Sequence, residues 1–474
     1  MPATVSRAQF LNLFLAVFLP MFLAAVDQTL LATATPAIAA TLGGLRDASW
    51  IAVGYLLASA TVVPVYGRLG DLRGRRELLL VALAVFAAGS LACAAAQSLP
   101  QLLAARVLQG LGGGGLMTLS QALIGELVPP RERARFQGYF ATVFMSASIG
   151  GPVIGGVVVS HASWRWLFLA NLPLVAFAAW RLSRLPSAER RPRRSDGPAD
   201  IAGHVLFALG AVSALFWFTS VGHRFAWSSP TSLALAATAL VALVALYRHE
   251  HRQRAPFLPV DLLHDRTIGP AALVVMLFAA CLFSVVFFLP IYLQLGHRLD
   301  AQYAGLLLLP VTGGMIIASF TSAHILRRTG RPRAIPVIGL SCSAAALLLL
   351  GLLPGRAPVV IALGFLCGLG FGCVMPTIQV TVQTVVGRER LGVAMALNGL
   401  ARATGGAAGA ALFGAVVFAF IPGVDRANLV QAAQHGDVTP IVDAFHRAFL
   451  AASLVAAAGA LVASRMPKRA LWKS

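Results

Sequence analysis

The chain alternates long apolar segments with short polar loops along almost its whole length. Segments of this kind are typical of transmembrane helices, because a helix needs roughly 20 apolar residues to cross a bilayer. We therefore predict an all-α polytopic membrane protein with fourteen transmembrane helices. The fourteen apolar runs lie near residues 10–40, 50–70, 78–96, 101–125, 136–159, 165–184, 201–220, 231–247, 268–296, 302–326, 334–353, 358–386, 391–420 and 444–464.

Composition agrees with this pattern and narrows the classes of function. Apolar residues make up 58% of the chain and charged residues 11%, and the mean hydropathy is +0.80. Soluble domains carry about 25% charged residues. The loops are too short to hold a catalytic domain, so we predict no enzyme activity and no cofactor. The five cysteines all lie within apolar runs, which predicts buried core residues rather than disulfides or a metal site.

The formal net charge of +20 could indicate a nucleic-acid partner, but the positions of the charges argue against one. Most basic residues lie in alternate loops, of which Arg68–Arg76 is the clearest. Loops rich in Lys and Arg stay in the cytoplasm. We therefore predict a multi-pass protein of the inner (plasma) membrane with both termini cytoplasmic and no nucleic-acid partner.

A repeated glycine pattern divides the chain into two related parts. The pattern at Gly110–Gly114 recurs at Gly368–Gly372, and the pattern at Ala147–Gly155 recurs at Ala401–Gly409. Runs 4 and 5 therefore match runs 12 and 13. Parallel repeats of this kind occur in transporters. We predict a six-helix half over residues 1–194, two inserted helices with their linkers over 195–266, and a second six-helix half over 267–474.

Five short motifs occur in the order in which one transporter family carries them. They are Asp27-x-Thr29 in run 1, Gly67–Arg76 between runs 2 and 3, Arg106-x-x-Gln109-Gly110-x-Gly112 in run 4, Gly151-Pro152-x-x-Gly155-Gly156 in run 5 and Trp164-Arg165-Trp166-x-Phe168-x-x-Asn171-x-Pro173 at run 6. Together they resemble signatures of the major facilitator superfamily, specifically its fourteen-span drug:proton antiporters of the EmrB/QacA type. The resemblance implies the major facilitator fold, with two parallel six-helix halves, and export of drugs in exchange for protons.

Two departures from the family pattern limit what the resemblance implies. Ala32 stands where the run 1 motif usually has Asn, so the substrates of named relatives are not carried over. The second-half copy of the Gly67–Arg76 loop, at Arg327–Arg333, contains no acidic residue. This loss suggests that Asp71 has no counterpart in the second half.

Asp27 is the acidic residue that lies deep within a predicted span. An ionised carboxylate in a membrane helix costs about 3 kcal/mol on insertion scales, and such groups usually face protein, find a partner or take up a proton. Arg106 lies at a comparable predicted depth, so the two side chains can pair. Burial favours the protonated carboxyl and a nearby arginine favours the ionised one. We predict that Asp27 and Arg106 couple transport to protons; the alternative is a static pair that fixes helix packing.

Four residues of the loop between runs 2 and 3 are predicted to act in gating: Gly67, Asp71, Arg75 and Arg76. The arginines also serve as orientation signals, which explains them without a gating role. Asp71 is not explained in that way, since acidic residues contribute little to orientation. The family resemblance implies that Asp71 latches the two halves on the cytoplasmic side. A carboxylate placed against a helix N-terminus would provide such a latch.

Two glycine-rich segments have structural alternatives. Gly151, Pro152, Gly155 and Gly156 combine a proline, which removes a helix hydrogen bond, with glycines that permit close approach. They predict either a static packing kink in run 5 or a flexible element of the transport cycle. The segment Gly110–Gly115 formally contains a nucleotide-binding pattern, but it lies within an apolar span, which favours close helix packing.

Gln109 and Arg402 are the predicted substrate contacts. Arg402 lies within run 13, where it either binds an anionic group or bonds to carbonyl oxygens. The main hypothesis is a proton-coupled antiporter that exports small amphipathic molecules by alternating access. The alternative is a carrier of the same fold for a specific metabolite or siderophore. A periplasmic adaptor protein stays an open question, because no sequence feature decides it.

Overall fold

The computed structural model describes residues 7–42, 50–185, 200–221, 225–253, 261–299, 304, 306–353, 357–387, 390–420, 438–468 and 471. These residues form seventeen named α-helices and, apart from one isolated bridge, no β-structure. The helices are α1 Arg7–Leu42, α2 Trp50–Arg73, α3 Arg75–Ala95, α4 Leu99–Leu127, α5 Pro130–His161, α6 Arg165–Leu169, α7 Asn171–Ser183, α8 Ile201–Ser220, α9 Pro230–Arg252, α10 Asp261–His264, α11 Ile268–His297, α12 Leu309–Thr329, α13 Ala334–Leu352, α14 Ala357–Gly372, α15 Val374–Val385, α16 Leu391–Ala419 and α17 Thr439–Ser464.

Thirteen helical segments of the described chain have the length and apolar composition to cross a membrane. Each coincides with one of the predicted runs. The remaining run, 136–159, lies within α5, whose 32 residues would extend roughly 48 Å as a helix. Helix α5 is not among the thirteen, so the predicted number of fourteen spans stays a prediction.

Two of the predicted runs are each divided into two helices. Run 165–184 forms α6 and α7, and run 358–386 forms α14 and α15. Pro173 and Pro376 each occupy the third position of the second helix, where a backbone N–H has no partner within the helix. The prolines are therefore accommodated at helix starts rather than within helices.

The helices pack into two groups with separate apolar cores. Buried side chains in and next to α1–α7 form two clusters, and those of α11–α17 form most of a third. The repeated glycines make equivalent contacts in the two groups. Gly114 of α4 lies against the backbone of α2, and Gly372 of α14 lies against that of α12. Gly151 of α5 lies against α1, and Gly405 of α16 lies against α11. Small residues thus let matching pairs of helices approach closely.

Helices α8 and α9, which lie in the predicted insertion, form a hairpin at the seam between the two groups. Helix α8 packs against both α2 and α16. Phe207 and Ala211 of α8 share an apolar cluster with Val393 and Leu397 of α16. The hairpin therefore contacts both groups of helices rather than one.

The base of this hairpin is held by Asp200, which precedes α8. Asp200 Oδ1 accepts hydrogen bonds from Gly203 N at 2.9 Å and from His249 Nε2 of α9 at 2.8 Å. Burial alone would raise the pKa of Asp200, but these hydrogen bonds outweigh it and hold that pKa below its usual range. The carboxylate thus caps α8 and ties it to α9.

Candidate functional site

The first candidate site surrounds Asp27, on a helix that packs against α4, α5 and α7. The side chain of Asp27 is only 3% exposed, and that of Arg106 on α4 is 1% exposed. Arg106 Nη1 donates to Asp27 Oδ2 at 2.6 Å. The two residues that the sequence places at similar depth therefore form a buried ion pair. Removal of either partner from such a pair leaves an uncompensated charge.

Gln109, one helical turn after Arg106, contacts both members of the pair. Its Nε2 donates to Asp27 Oδ1 at 2.8 Å, and its Oε1 accepts from Arg106 Nη1 at 2.5 Å. The side chain is fully buried. The sequence predicts Gln109 as a substrate contact, but in this conformation it presents no surface to a substrate. Its amide is bonded instead to the ion pair.

Ser90 of α3 and Asn171 of α7 were not predicted as site residues, and both are buried next to Asp27. Ser90 Oγ accepts from Gln109 Nε2 at 2.8 Å and from Asn171 Nδ2 at 3.3 Å. Asn171 Nδ2 also lies 3.5 Å from Asp27 Oδ1. The motif at run 6 contains Asn171 and could have indicated that this residue belongs to the site. No feature of the sequence distinguished Ser90 within its apolar run. Asp27, Ser90, Arg106, Gln109 and Asn171 are called the Asp27 network below.

Arg106 has further partners on α2. Its Nε donates to the carbonyl oxygen of Ile51 at 3.1 Å, and its Cζ lies 4.3 Å from the ring centre of Tyr55. A guanidinium above an aromatic face is stabilised by the ring quadrupole. Arg106 therefore keeps partners on α2 that are independent of the charge on Asp27.

The second candidate site is at Asp71, near the end of α2, where α2 meets the first turn of α16. Asp71 Oδ1 accepts from Gly392 N at 2.9 Å, and Asp71 Oδ2 accepts from Val393 N at 3.2 Å. The first N–H groups of a helix have no partner within it, and the helix dipole attracts negative charge there. The carboxylate thus joins α2 of one group of helices to α16 of the other. We call this contact the Asp71 latch.

Two glycines allow the helices to meet at the latch. A Cβ added to Gly67 would lie 2.6 Å from the carbonyl oxygen of Gly392, so larger residues do not fit between α2 and α16. Gly74 separates α2 from α3 and has a φ of 102°, in a region that favours glycine. The turn after Asp71 can therefore be a single residue long.

The two predicted gating arginines have different positions. Arg75 is buried and bridges Asp71 Oδ1 at 2.5 Å and Glu126 Oε2 of α4 at 2.6 Å. Arg76 instead donates to the carbonyl oxygens of Leu182 and Ser183 at 3.0 and 2.6 Å. These carbonyls end α7, where a cation is favoured by the helix dipole. Arg75 thus supports the latch, whereas Arg76 joins two helices of the same group.

A second set of hydrogen bonds crosses between the groups near the same end. Arg133 Nη1 of α5 donates to the carbonyl oxygen of Gln383 at 3.0 Å. Gln383 Nε2 of α15 donates to the carbonyl oxygen of Gln121 on α4 at 3.1 Å. The ring of Tyr139 packs edge-on against that of Phe320 at 5.5 Å. The Asp71 latch is therefore one of several contacts that close this end of the molecule.

The glycine–proline motif of run 5 lies beside the Asp27 network. Helix α5 is continuous through Gly151, Pro152, Gly155 and Gly156. A Cβ on Gly151 would collide with Thr29, two residues after Asp27, whereas one on Gly156 would meet open space. Gly155 is buried, and the side chain of Pro152 lies outside the described residues. The motif thus includes a close contact between α5 and α1.

Arg402 lies on α16, eleven residues after the start of that helix, and its side chain is half-buried. It belongs to the second group of helices, whereas every member of the Asp27 network belongs to the first. The structure therefore places the two predicted substrate contacts, Gln109 and Arg402, in different groups of helices.

Comparison with known proteins identifies the family. Residues 17–410 match the model of the Major Facilitator Superfamily. The chain belongs to this superfamily. It is 34% identical over 410 residues to the multidrug transporter protein MdtP of Bacillus subtilis, with 85% of this chain and 75% of that protein covered. It is 31% identical over 377 residues to the efflux pump FUS6 of Gibberella fujikuroi, with coverages of 77% and 68%.

The solved structures share the fold. The human organic anion transporter MFSD10 matches with a TM-score of 0.64 at 17% identity, over 94% of this chain and 99% of that one. The protein is thus an all-helical, multi-pass transporter of the Major Facilitator Superfamily and not an enzyme.

Proposed function

We propose that this Major Facilitator Superfamily protein is a proton-coupled antiporter that exports small amphipathic molecules by alternating access. The observation that carries the proposal is the Asp27–Arg106 pair, which is 2.6 Å long and almost wholly buried. Buried charges in membrane proteins are expensive and mark ion or proton pathways. Protonation of Asp27 removes the charge that holds Arg106, so proton binding changes the contacts of α1 with α4.

The Asp71 latch supports the alternating-access part of the proposal. The basic loops support a cytoplasmic position for Asp71, and the described conformation would then be closed on that side. Opening toward the cytoplasm must break the hydrogen bonds of Asp71 with Gly392 and Val393. It must also separate α2 from α16 where Gly67 packs against Gly392. Opening must also break the contacts of Arg133 with Gln383 and of Gln383 with Gln121 at the same end.

We assign the chain fourteen spans in two parallel six-helix halves with α8 and α9 inserted, as in the EmrB/QacA type, in the plasma membrane with both termini cytoplasmic. The equivalent glycine contacts of the two groups support the two halves. The names of the relatives, a multidrug transporter and an efflux pump, support export rather than uptake.

The experiment begins with a panel of drugs and metabolites tested on cells that contain or lack the gene. A compound to which the gene gives resistance is then followed in sealed vesicles with an imposed pH gradient. We expect the wild-type protein and Asp27→Glu to transport the compound against its gradient, and Asp27→Asn to be expressed but inactive. Transport that persists at the wild-type rate in Asp27→Asn, or without a pH gradient, would contradict proton coupling and favour the metabolite-carrier alternative.

A further inference from the structure

We propose that Gln109 is a positioning residue whose side-chain amide rotates when Asp27 is protonated and thereby expels Arg106 from the pair. The inference rests on the proposed proton coupling at Asp27 and assigns a task to a neighbour that contacts neither solvent nor substrate in this conformation. It follows from the hydrogen-bond capacities of the groups in the Asp27 network.

The amide of Gln109 is oriented by two opposite charges. Its Nε2 carries two hydrogens, one directed to Asp27 Oδ1 at 2.8 Å and the other to Ser90 Oγ at 2.8 Å. Its Oε1 accepts from Arg106 Nη1 at 2.5 Å and from the thiol of Cys93 at 3.6 Å. Both donors and both acceptor sites are used. The amide dipole lies along the ion pair, with its donor end toward the anion and its acceptor end toward the cation.

Among the described residues, the groups that contact the Asp27 carboxylate are all hydrogen-bond donors. They are the guanidinium of Arg106, the Nε2 of Gln109 and the Nδ2 of Asn171. An ionised carboxylate only accepts, so this arrangement suits it; a protonated carboxyl has one hydrogen to donate. None of the three contacts can receive that hydrogen in the described geometry. The network therefore matches one charge state of Asp27.

Gln109 is the contact best placed to supply an acceptor. A guanidinium has no acceptor at all, whereas a side-chain amide exchanges its donor and acceptor ends by a half-turn of its last torsion. Gln109 Nε2 is 2.8 Å from Asp27 Oδ1, whereas the other amide, Asn171 Nδ2, is 3.5 Å away. After the half-turn, Gln109 Oε1 accepts the new proton of Asp27. The hydroxyl of Ser90 can then donate to the same oxygen, since a hydroxyl both donates and accepts.

The rotation acts on Arg106. It turns the Nε2 of Gln109 toward Arg106 Nη1, so that two donors face each other where a hydrogen bond of 2.5 Å had been. Arg106 loses its charge partner and its amide partner together, but it keeps Ile51 and Tyr55 on α2. Protonation thus breaks the ion pair between α4 and α1 and leaves the Asp27–Gln109 hydrogen bond between them, while Arg106 stays bonded to α2. Gln109 converts the arrival of a proton into the release of the Arg106 side chain from α1.

The remaining groups at the site do not replace Gln109. The titratable or charged groups that face it among the described residues are Asp27 on α1, Tyr55 on α2, Cys93 on α3 and Arg106 on α4. Helix α5 contributes the carbonyl oxygen of Ala147, which accepts from Thr29 of α1, and α7 contributes Asn171; none of these groups titrates. The proton-linked event is therefore confined to Asp27, and the reorientation to an amide.

Infrared difference spectroscopy of the full-length protein in lipid nanodiscs tests the inference. The protein carries ¹³C at the side-chain carbonyl of glutamine, and the pH is lowered in steps. The C=O band of protonated Asp27 is identified by its loss in Asp27→Asn, and the carbonyl band of Gln109 by its loss in Gln109→Met. We expect both bands to change with the same pH midpoint in the wild-type protein, and the Gln109 band to be independent of pH in Asp27→Asn.

The variants supply a second readout. Gln109→Met removes both the donor to the ionised carboxylate and the acceptor for the protonated one; because the hydrogen bond to the charged group is the stronger of the two, the Asp27 band should appear at a higher pH. Gln137→Met is the matched control, because Gln137 is a buried glutamine of α5 that is not part of the Asp27 network. It should leave the Asp27 midpoint and the Gln109 band unchanged. Thermal unfolding of each variant shows whether it is folded.

Several results would overturn the inference and separate it from the proposed function. A Gln109 band that does not respond while Asp27 is protonated, or that responds equally in Asp27→Asn, would contradict the rotation and leave proton coupling intact. An Asp27 that keeps one charge state across the whole pH range in which the protein is folded would contradict both. An unshifted midpoint in a folded Gln109→Met would also exclude a positioning role.

Discussion

The Asp27 network and the Asp71 latch both contain a buried carboxylate, but their partners differ in kind and in place. In the described part of the chain, Asp27 is bonded to side chains of the first group of helices. Asp71 is bonded to backbone N–H groups of α16 in the second group. A change of charge at Asp27 therefore acts within one group, whereas a change at Asp71 acts on the contact between groups. This difference is the one that the proposed proton binding at Asp27 and the proposed gating at Asp71 require.

Two helices connect the sites. Helix α4 carries Arg106 near one end and Glu126 near the other, roughly 30 Å apart at 1.5 Å per residue. Helix α2 carries Ile51, which bonds Arg106, and Asp71 itself. A displacement of α4 and α2 relative to α1 would therefore also move the residues of the Asp71 latch, because each helix moves as a rigid unit. The contrast between the sites can be tested from either end.

The largest effect is expected when the Asp27 pair is broken from one side. Arg106→Leu leaves the carboxylate buried without its cation and should destabilise the protein by about 3–5 kcal/mol near neutral pH. Chemical or thermal unfolding in detergent measures this loss. In the double variant with Asp27→Asn the loss should be much smaller, because no uncompensated charge remains. Strictly additive effects would mean that the two residues do not act as a pair.

A smaller effect is expected from filling the space at the latch. Gly392→Ala places a methyl group against the carbonyl oxygen of Gly67, and overpacking of this kind costs about 1–3 kcal/mol. The cost applies to the described conformation and should favour opening of this end. Spin labels at the exposed Leu72 and Val385 would show a longer distance. Gly399→Ala is the control, because its Cβ meets only Val63 at 3.6 Å; an equal change there would argue against the latch.

The charge of the latch should matter less than its packing. Asp71→Asn keeps one acceptor oxygen but loses the charge that interacts with Arg75 and with the start of α16, a loss of about 1–2 kcal/mol. The same pair of spin labels should report a larger open population. Glu126→Gln removes a charge that contacts Arg75 within the first group and should change the distances little. If the two variants behave alike, the ion-pair cluster rather than the contact with α16 sets the closed state.

The smallest effect is expected at the base of the inserted hairpin, and it should depend on pH because it involves the carboxylate of Asp200. The pKa of Asp200 is lowered in the folded protein, so its stabilising effect is present above the unfolded-state pKa and is lost as the pH falls through the folded-state value. Asp200→Ala should cost about 1 kcal/mol at neutral pH and less in acid. Ser229→Ala removes the cap of α9 and should cost a similar amount at every pH. A pH-independent loss in Asp200→Ala would contradict the ionised cap.

The part of the site around Asp27 was predictable, because a charged side chain within an apolar membrane segment has a high free-energy cost. A carboxylate within an apolar run requires a partner, and Arg106 was the arginine at a matching depth, so the pair followed from sequence. Ser90 was missed because a serine in an apolar helix costs little and can bond its own backbone. Arg76 was assigned to gating with its neighbours, but its partner is the end of α7, which no pattern in its own loop could indicate.

The amino-acid sequence by itself determined the helices, the approximate spans and the helix faces that carry glycine. The free energy of transferring a segment from water to the membrane and the spacing of residues along a helix depend on that segment alone. The tertiary structure decided which helices meet. It placed Asn171 and Ser90 beside Asp27, set Asp71 on the first turn of α16 and laid α8 across the seam between the groups. These contacts depend on the rotation and order of helices in the bundle. Many weak packing contacts fix that order together, so no single segment of the sequence contains it.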